Sequence, residues 1–175
     1  MFKIGIIGPN FADCSIDLYN FGVELGYKLC KKDRVFICGG LGGFMEAVCK
    51  GIKSNPETFS GQTIGILPGS NTNEANSYID VSIATNMGES RNIIIILSSD
   101  VIITAGGGIG TLSEYAFAIK YNKPILVYKK FFSWANILFT DLAKEMLNIS
   151  YNKVYYFHNL TEIEFFLNEF IKYKK

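Results

Sequence analysis

Short runs of apolar, often β-branched residues alternate with longer amphipathic stretches along the whole chain. Uninterrupted apolar runs such as Val101-Ile102-Ile103 are typical of a parallel sheet covered by helices on both faces. The alternation predicts an α/β fold, namely a Rossmann-like, doubly wound, mostly parallel sheet in a single domain over 1–175. The predicted strands are 2–8, 34–38, 63–67, 79–84, 100–105, 124–128 and 153–157. The predicted helices are 14–32, 43–54, 87–98, 111–122, 134–148 and 161–172.

One apolar segment, Ile93–Leu97, fits a buried strand or a buried helix equally well by its length. Only Ser98-Ser99-Asp100 separate it from the next predicted strand. Because parallel strands need a crossover connection, we interpret this segment as the end of a helix over 87–98.

Composition and charge exclude several classes of protein. A net charge of +1 lacks the basic excess of a nucleic-acid binder, so we expect no nucleic-acid partner. No apolar run approaches the roughly 20 residues of a membrane-spanning helix, and the N-terminus does not resemble a signal peptide. The four cysteines form no C-x-x-C pair, and one histidine cannot complete a zinc set. We therefore expect reduced thiols, a cytoplasmic location, no membrane contact, no metal and no cofactor.

Glycines cluster at two points where a predicted strand ends and a helix begins. The clusters are Gly39-Gly40-Leu41-Gly42-Gly43 and Gly106-Gly107-Gly108-Ile109-Gly110. Bare backbone lets a ligand approach, and the free N–H groups of a helix start attract anions. Tight packing between strand and helix also uses glycine, but two such turns favour phosphate binding. Neither turn is a P-loop, and Gly8-Pro9-Asn10 after the first strand lacks the dinucleotide fingerprint.

Charged residues near these turns have both functional and structural interpretations. The guanidinium of Arg91 suits a phosphate, but it also fits a surface ion pair with Glu89. Thr111-Leu112-Ser113-Glu114 matches a capping box, which by itself would explain Glu114. Glu46, near the start of its own predicted helix, has the same two interpretations.

Three motifs together resemble the Lonely guy and lysine-decarboxylase-like superfamily. They are Gly39-Gly40-x-Gly42-Gly43-x-Met45-Glu46, Met87-x-x-x-Arg91-Asn92 and Gly106-Gly107-Gly108-x-Gly110-Thr111-x-x-Glu114. The similarity extends from Met1 to about Val127 and is greatest to the branch that contains molybdenum-cofactor carrier proteins. It implies a Rossmann-like, nucleotide-binding homo-oligomer whose partner is a small phosphorylated ligand.

The enzymes of that superfamily cleave nucleoside 5′-monophosphates into a free base and ribose 5-phosphate. The resemblance implies that Arg91 and Glu114 are the catalytic pair and that the second glycine turn holds phosphate. We predict that the ligand and its phosphate contact Gly8, Gly39, Gly40, Gly42, Gly43, Met45, Glu46, Asn92, Gly107, Gly108, Ile109, Gly110 and Thr111.

Two departures from the enzyme pattern keep alternative functions open. Those enzymes usually carry Pro-Gly-Gly and Arg-Lys, whereas this chain has Ala105-Gly106-Gly107-Gly108 and Arg91-Asn92. Our first hypothesis is a nucleoside monophosphate phosphoribohydrolase, in which Glu114 acts on the sugar. The alternative is a carrier or sensor of a phosphorylated pterin or nucleotide, and the departures suit it. Single-stranded DNA binding, known from a related fold, fits the near-neutral charge poorly.

Two further features lead to expectations about surfaces. The polar segment Ser70–Ser77 follows a predicted strand, which places it at the ligand edge or makes it a solvated turn. The 14 Phe and 10 Tyr indicate surface covered by another subunit. We expect a homodimer or a tetramer, with the helices near 87–98 and 111–122 at the interface.

Overall fold

The computed structural model describes residues 1–148 and 151–174, in which seven strands alternate with seven α-helices. The strands are β1 (Phe2–Ile7), β2 (Arg34–Cys38), β3 (Thr63–Leu67), β4 (Val81–Ala84), β5 (Val101–Thr104), β6 (Ile125–Tyr128) and β7 (Val154–Phe157). The helices are α1 (Ile16–Leu29), α2 (Phe44–Ser54), α3 (Asn92–Ser98), α4 (Ile109–Lys120), α5 (Ala135–Leu138), α6 (Asp141–Met146) and α7 (Leu160–Lys174).

All seven strands form one parallel sheet in the order β4-β3-β2-β1-β5-β6-β7. The chain starts in the middle of the sheet, builds outwards to β4 and then crosses back to place β5 on the other side of β1. Ile4 is in register with both Phe36 of β2 and Val101 of β5. The predicted Rossmann-like architecture is confirmed, and β1, with β2 and β5 beside it, marks the point where the strand order reverses.

Helices cover both faces of the sheet, which explains why the central strands are apolar throughout. One core cluster contains Ile4, Phe36 and Ile103 and packs against apolar residues of α1, α2 and α7. The other contains Ile37 and Ile102 and packs against α3, α4 and α5. All four residues of β5 are buried, as expected for a strand with helices on both sides.

The ambiguous Ile93–Leu97 segment is helical, as predicted, but the predicted helix over 87–98 starts late. A 3₁₀ turn occupies Gly88–Arg91, and α3 begins only at Asn92. The predicted helix over 134–148 is wrong, because the chain forms two short helices there. Thr140 separates them, since its extended backbone ends the first helix and its hydroxyl accepts the Ala143 N–H that begins the second.

A buried ion pair attaches the last helix to the rest of the molecule. Nη1 of Arg34 donates to Oε1 of Glu164 at 2.8 Å, and Nη2 donates to Oε2 at 3.2 Å. Lys31 donates to the same carboxylate at 2.8 Å. Burial by itself raises the pKa of Glu164, but these hydrogen bonds outweigh it and lower the pKa below its usual range. Helix α7 is therefore fixed to the start of β2 by charge as well as by apolar packing.

The four cysteines are free thiols, and Cys30, Cys38 and Cys49 are buried as small apolar groups. Within residues 1–148 and 151–174, no helix combines the length and apolar character needed to cross a membrane.

Candidate functional site

A cavity of about 410 Å³ opens at the carboxyl edge of the sheet, where the strand order reverses. Its walls come from the loop after β1, the glycine turn after β2, the 3₁₀ turn before α3 and the first turns of α4. Open parallel sheets bind ligands at this topological position, and the volume is typical of small-molecule sites. The fold thus brings four segments of the chain to one site.

The N-terminus of α4 forms one wall of this cavity. The helix begins at Ile109, with Gly108 as its N-cap residue, and no side chain caps it among the described residues. The N–H groups of the first turn lack partners within the helix, and Gly108–Thr111, which supply this turn, line the cavity. The predicted capping box is therefore wrong. Thr111 already lies in the third helical position, so Glu114 is too far into the helix to cap it.

Arg91 and Glu114 lie side by side in the cavity wall, and both are almost completely buried. Their side chains come from the end of the 3₁₀ turn and from the second turn of α4. Nη1 of Arg91 is 3.9 Å from Oε1 of Glu114, which is too long for a hydrogen bond. Nε of Arg91 has no hydrogen-bond partner among the described residues. The cavity wall therefore holds a guanidinium with unused hydrogen-bonding capacity.

Glu114 is a weak acid in this environment. Burial of the carboxyl is the largest cause and raises its pKa to about 8; the charge of Arg91 offsets part of the effect, whereas Glu89 adds to it. The carboxyl is therefore mostly protonated at neutral pH and offers an O–H donor as well as an acceptor.

Gly39, in the first glycine turn, leaves room for the guanidinium of Arg91. A Cβ atom at residue 39 would lie 2.5 Å from Nη2 and 2.9 Å from Cζ of Arg91. Any larger residue would displace the guanidinium. The role of Gly39 in this structure is to let Arg91 lie flat against the backbone that follows β2.

Asn92 connects the start of α3 to the start of α4. Its Nδ2 donates to Oγ of Ser113 at 2.8 Å and to Oε2 of Glu89 at 3.2 Å. Its Oδ1 is buried and has no partner among the described residues. Asn92 thus positions the two helix starts that enclose Arg91 and Glu114.

The structure brings most of the predicted site residues together. The predicted residues that line the cavity are Gly8, Met45, Arg91, Asn92, Gly108, Ile109, Gly110, Thr111 and Glu114. Those that lie outside its lining are Gly39, Gly40, Gly42, Gly43, Glu46 and Gly107. Gly43 has a positive φ of 82°, and a Cβ there would meet the backbone of Asn10 at 2.4 Å. Because Gly43 has no side chain, the loop after β1 can pack closely against the start of α2.

Sequence reasoning missed part of the cavity lining. The missed residues are Pro9, Asn10, Asp13, Leu41, Glu89 and Ser113. Asp13 and Glu89 add two carboxylates to the lining that also contains Arg91. Asp13 and Glu89 both follow strands that end at the same edge of the sheet, so their place near the cavity could have been inferred from the predicted fold. They belong to no motif that would have singled them out.

The polar segment Ser70–Ser77 does not line the cavity; it packs behind the first glycine turn. Nδ2 of Asn76 donates to the carbonyl oxygens of Gly40 and Leu41, at 3.1 and 2.9 Å. The segment therefore supports the turn that places Gly39 beside Arg91. Among the described residues, no group of three or more His, Cys, Asp or Glu side chains is arranged to hold a metal ion.

A family model described as the SLOG cluster4 family matches residues 1–160. The chain belongs to the SLOG cluster4 family. An uncharacterized protein of Archaeoglobus fulgidus is 41% identical to this SLOG cluster4 chain over 129 residues, which are 74% of this chain and 81% of that protein.

Two solved structures resemble this SLOG cluster4 chain over nearly its full length. The molybdenum cofactor binding protein of Rippkaea orientalis superimposes with a TM-score of 0.79 at 32% identity, covering 97% of both chains. The molybdenum cofactor carrier protein of Chlamydomonas reinhardtii gives a TM-score of 0.78 at 26% identity, covering 98% of this chain and 99% of the other. These two structures confirm the predicted similarity to the branch that contains molybdenum-cofactor carriers.

Proposed function

We propose that this protein binds a small phosphorylated pterin of the molybdenum-cofactor type and holds it without turnover. The observation that carries the proposal is the uncapped N-terminus of α4, which shares one cavity with Arg91. The names of the two similar solved proteins support the pterin part of the proposal.

The cavity offers a phosphate three kinds of favourable interaction. Backbone N–H groups at Gly110 and Thr111 are available as donors, and the positive end of the α4 dipole attracts an anion. Arg91, which lines the same cavity, adds a charged, planar donor group. Two carboxylates lie beside the same helix start: Oδ2 of Asp13 is 3.4 Å from the Cβ position of Gly108, and Oε2 of Glu89 is 3.5 Å from that of Gly110. The N–H groups and Arg91 therefore attract the phosphate against the repulsion of these carboxylates.

Two observations favour a carrier over a phosphoribohydrolase. Cleavage of an N-glycosidic bond passes through a positively charged sugar, which an ionised carboxylate stabilises. Glu114, with its pKa raised to about 8, lacks that charge at neutral pH. Asn92 occupies the position where the enzymes of the superfamily carry a lysine, and its amide is engaged in bonds to Ser113 and Glu89.

Hydrolysis of a nucleoside 5′-monophosphate is the second candidate, because Arg91 and Glu114 do converge in the cavity. Incubation of the pure protein with AMP, followed by assays for adenine and ribose 5-phosphate, separates the two functions. The carrier proposal expects no base release above that of an Arg91→Lys, Glu114→Gln double variant. Release that depends on Glu114 would establish the enzyme instead.

We also propose that the protein is a cytoplasmic homodimer or tetramer. Val81 and Ile83 of the edge strand β4 lie on the same face as Ile64 and Ile66 and are 43% and 45% exposed. Leu97 of α3 is also exposed. These apolar side chains favour an interface that includes α3, as the sequence predicts. Sedimentation of the wild type and of an Ile83→Glu variant tests this, because the variant should dissociate.

A further inference from the structure

A second cavity, of about 450 Å³, adjoins the candidate site. Pro9, Asp13, Gly108 and Ile109 line both cavities, so the two cavities are neighbours at the start of α4. The far wall is formed by Phe131 and Phe132, which follow β6. The indole N–H of Trp134 donates to the carbonyl oxygen of Gly108 at 2.8 Å and holds this segment against the glycine turn.

Asp13 stands at the junction of the two cavities. Its Oδ2 lies 3.4 Å from the position that a Cβ would take at Gly108. Among the described residues, the carboxylate has no hydrogen bond or ion pair. An ionised carboxylate only accepts hydrogen bonds. Asp13 therefore favours a ligand group that presents N–H donors.

The two phenylalanines differ in how they are held. Phe131 packs against the rings of Phe21 and Tyr128, with centroid distances of 6.5 and 5.8 Å. Phe132, in contrast, is 72% exposed at the cavity wall. The cavity thus combines an exposed aromatic ring with the carboxylate of Asp13, the two kinds of group with which proteins stack a heterocycle and bind its edge.

We propose that the second cavity holds the planar ring of the ligand whose phosphate lies at α4, with Phe132 stacking on the ring and Asp13 accepting two adjacent N–H donors. The ring class is a 2-amino-4-oxo heterocycle, found in both pterins and guanine, whose ring N–H and neighbouring amino group both donate. Adenine offers one amino group next to a bare ring nitrogen, which a carboxylate repels. This inference rests on the phosphate site of the proposed function.

Calorimetric titrations with four probes separate the phosphate site from the ring site: GMP, AMP, neopterin phosphate and ribose 5-phosphate. Ribose 5-phosphate reports the phosphate site alone. We expect GMP and neopterin phosphate to bind on the order of tenfold more tightly than ribose 5-phosphate or AMP, the range expected for stacking and bidentate base contacts.

Two variants test the named residues, and a third serves as a control. Phe132→Ala should lower the affinity for GMP and neopterin phosphate about tenfold while leaving that for ribose 5-phosphate unchanged. Asp13→Asn should remove the preference for GMP over AMP, because an amide pairs well with adenine. Phe165→Ala is the matched control, since Phe165 is another largely exposed phenylalanine, on α7 and outside both cavities. Phe165→Ala should leave the affinities for all four probes unchanged.

The possible outcomes distinguish the two proposals. Weak binding of all four probes, including ribose 5-phosphate, would overturn the phosphate site and with it this inference. Equal binding of GMP, AMP and ribose 5-phosphate would overturn the ring site alone. A Phe132→Ala protein that binds every probe normally but dissociates in sedimentation would show that Phe132 contacts another copy of the chain, which also overturns the ring site.

Discussion

Nη1 of Arg91 and Oε1 of Glu114 lie 3.9 Å apart, close enough to influence each other and too far apart to form a hydrogen bond. Both residues are almost fully buried, at 5% and 4% exposure. A buried ion pair normally forms short hydrogen bonds, because burial of unpaired charge is costly. This arrangement instead leaves the guanidinium available to a ligand and the carboxyl protonated.

The raised pKa of Glu114 predicts that stability falls as pH rises. The pKa is about 8 in the folded protein, whereas an ordinary glutamate has a value of 4.5. The folded state therefore holds a proton that the unfolded state releases above pH 4.5. Between pH 5 and 8 this group should lower the free energy of unfolding by up to about 1.4 kcal/mol per pH unit. Urea denaturation across this range measures the slope.

The matched variant for this measurement is Glu114→Gln, which resembles the protonated carboxyl but cannot ionise. Its unfolding free energy should be close to that of the wild type near pH 5, and the slope between pH 5 and 8 should flatten. An unchanged slope in the variant would show that Glu114 is ionised throughout and would remove one argument against hydrolysis.

A second prediction concerns Gly39, whose absent side chain gives Arg91 its place. Gly39→Ala should displace the guanidinium and lower the affinity for neopterin phosphate about tenfold, the effect of losing one charge-assisted contact. Arg91→Lys should lower the affinity for neopterin phosphate by about the same factor, since an ammonium cannot form the planar contact of a guanidinium. Calorimetry on both single variants and on the double variant measures their coupling.

If Gly39 acts through Arg91, the double variant should bind no more weakly than Arg91→Lys alone. Additive losses would mean that Gly39 contacts the ligand by itself, as the sequence motif implies. Unchanged thermal unfolding of each variant checks that the fold persists.

The sheet and most of its helices could be predicted because hydrophobic periodicity is local. The predicted helix boundaries were wrong where a single residue determines where a helix begins or ends. Thr111 and Glu114 have capping-box spacing, but helix α4 already starts at Ile109, directly after the glycine turn. Thr140 interrupts a stretch that otherwise fits a helix.

Part of the candidate site is formed by contacts between residues that are far apart in the sequence, and no motif spacing predicts such contacts. Asp13 reaches the cavity from a 3₁₀ turn after β1, and it meets Gly108 only because β1 and β5 are neighbours. The glycine turns, Arg91 and Glu114 could be identified because they form motifs. The contact between Gly39 and Arg91 could not, since it joins two segments about fifty residues apart.

The ion pair between Arg34 and Glu164 gives a prediction about stability. Glu164→Gln should lower the free energy of unfolding by up to about 3–5 kcal/mol, because it leaves the buried guanidinium of Arg34 only the exposed carboxylate of Asp33, 3.8 Å from Nε, as counter-charge. Glu169→Gln is the control, since Glu169 pairs with Lys172 on the exposed side of α7. Loss of this exposed pair should change the free energy of unfolding far less than loss of Glu164. Equal effects in urea denaturation would contradict a structural role for the buried pair.

We propose that the start of α4 and Arg91 bind the phosphate of a pterin. The most direct measurement compares neopterin phosphate with neopterin, which differ only in that group, by isothermal titration calorimetry. The phosphate ester should bind at least about a hundredfold more tightly, as two or more charge-assisted hydrogen bonds imply. In Arg91→Lys this preference should shrink about tenfold, with neopterin binding unchanged. Equal affinities of the wild type for the two compounds would contradict the phosphate site and the function built on it.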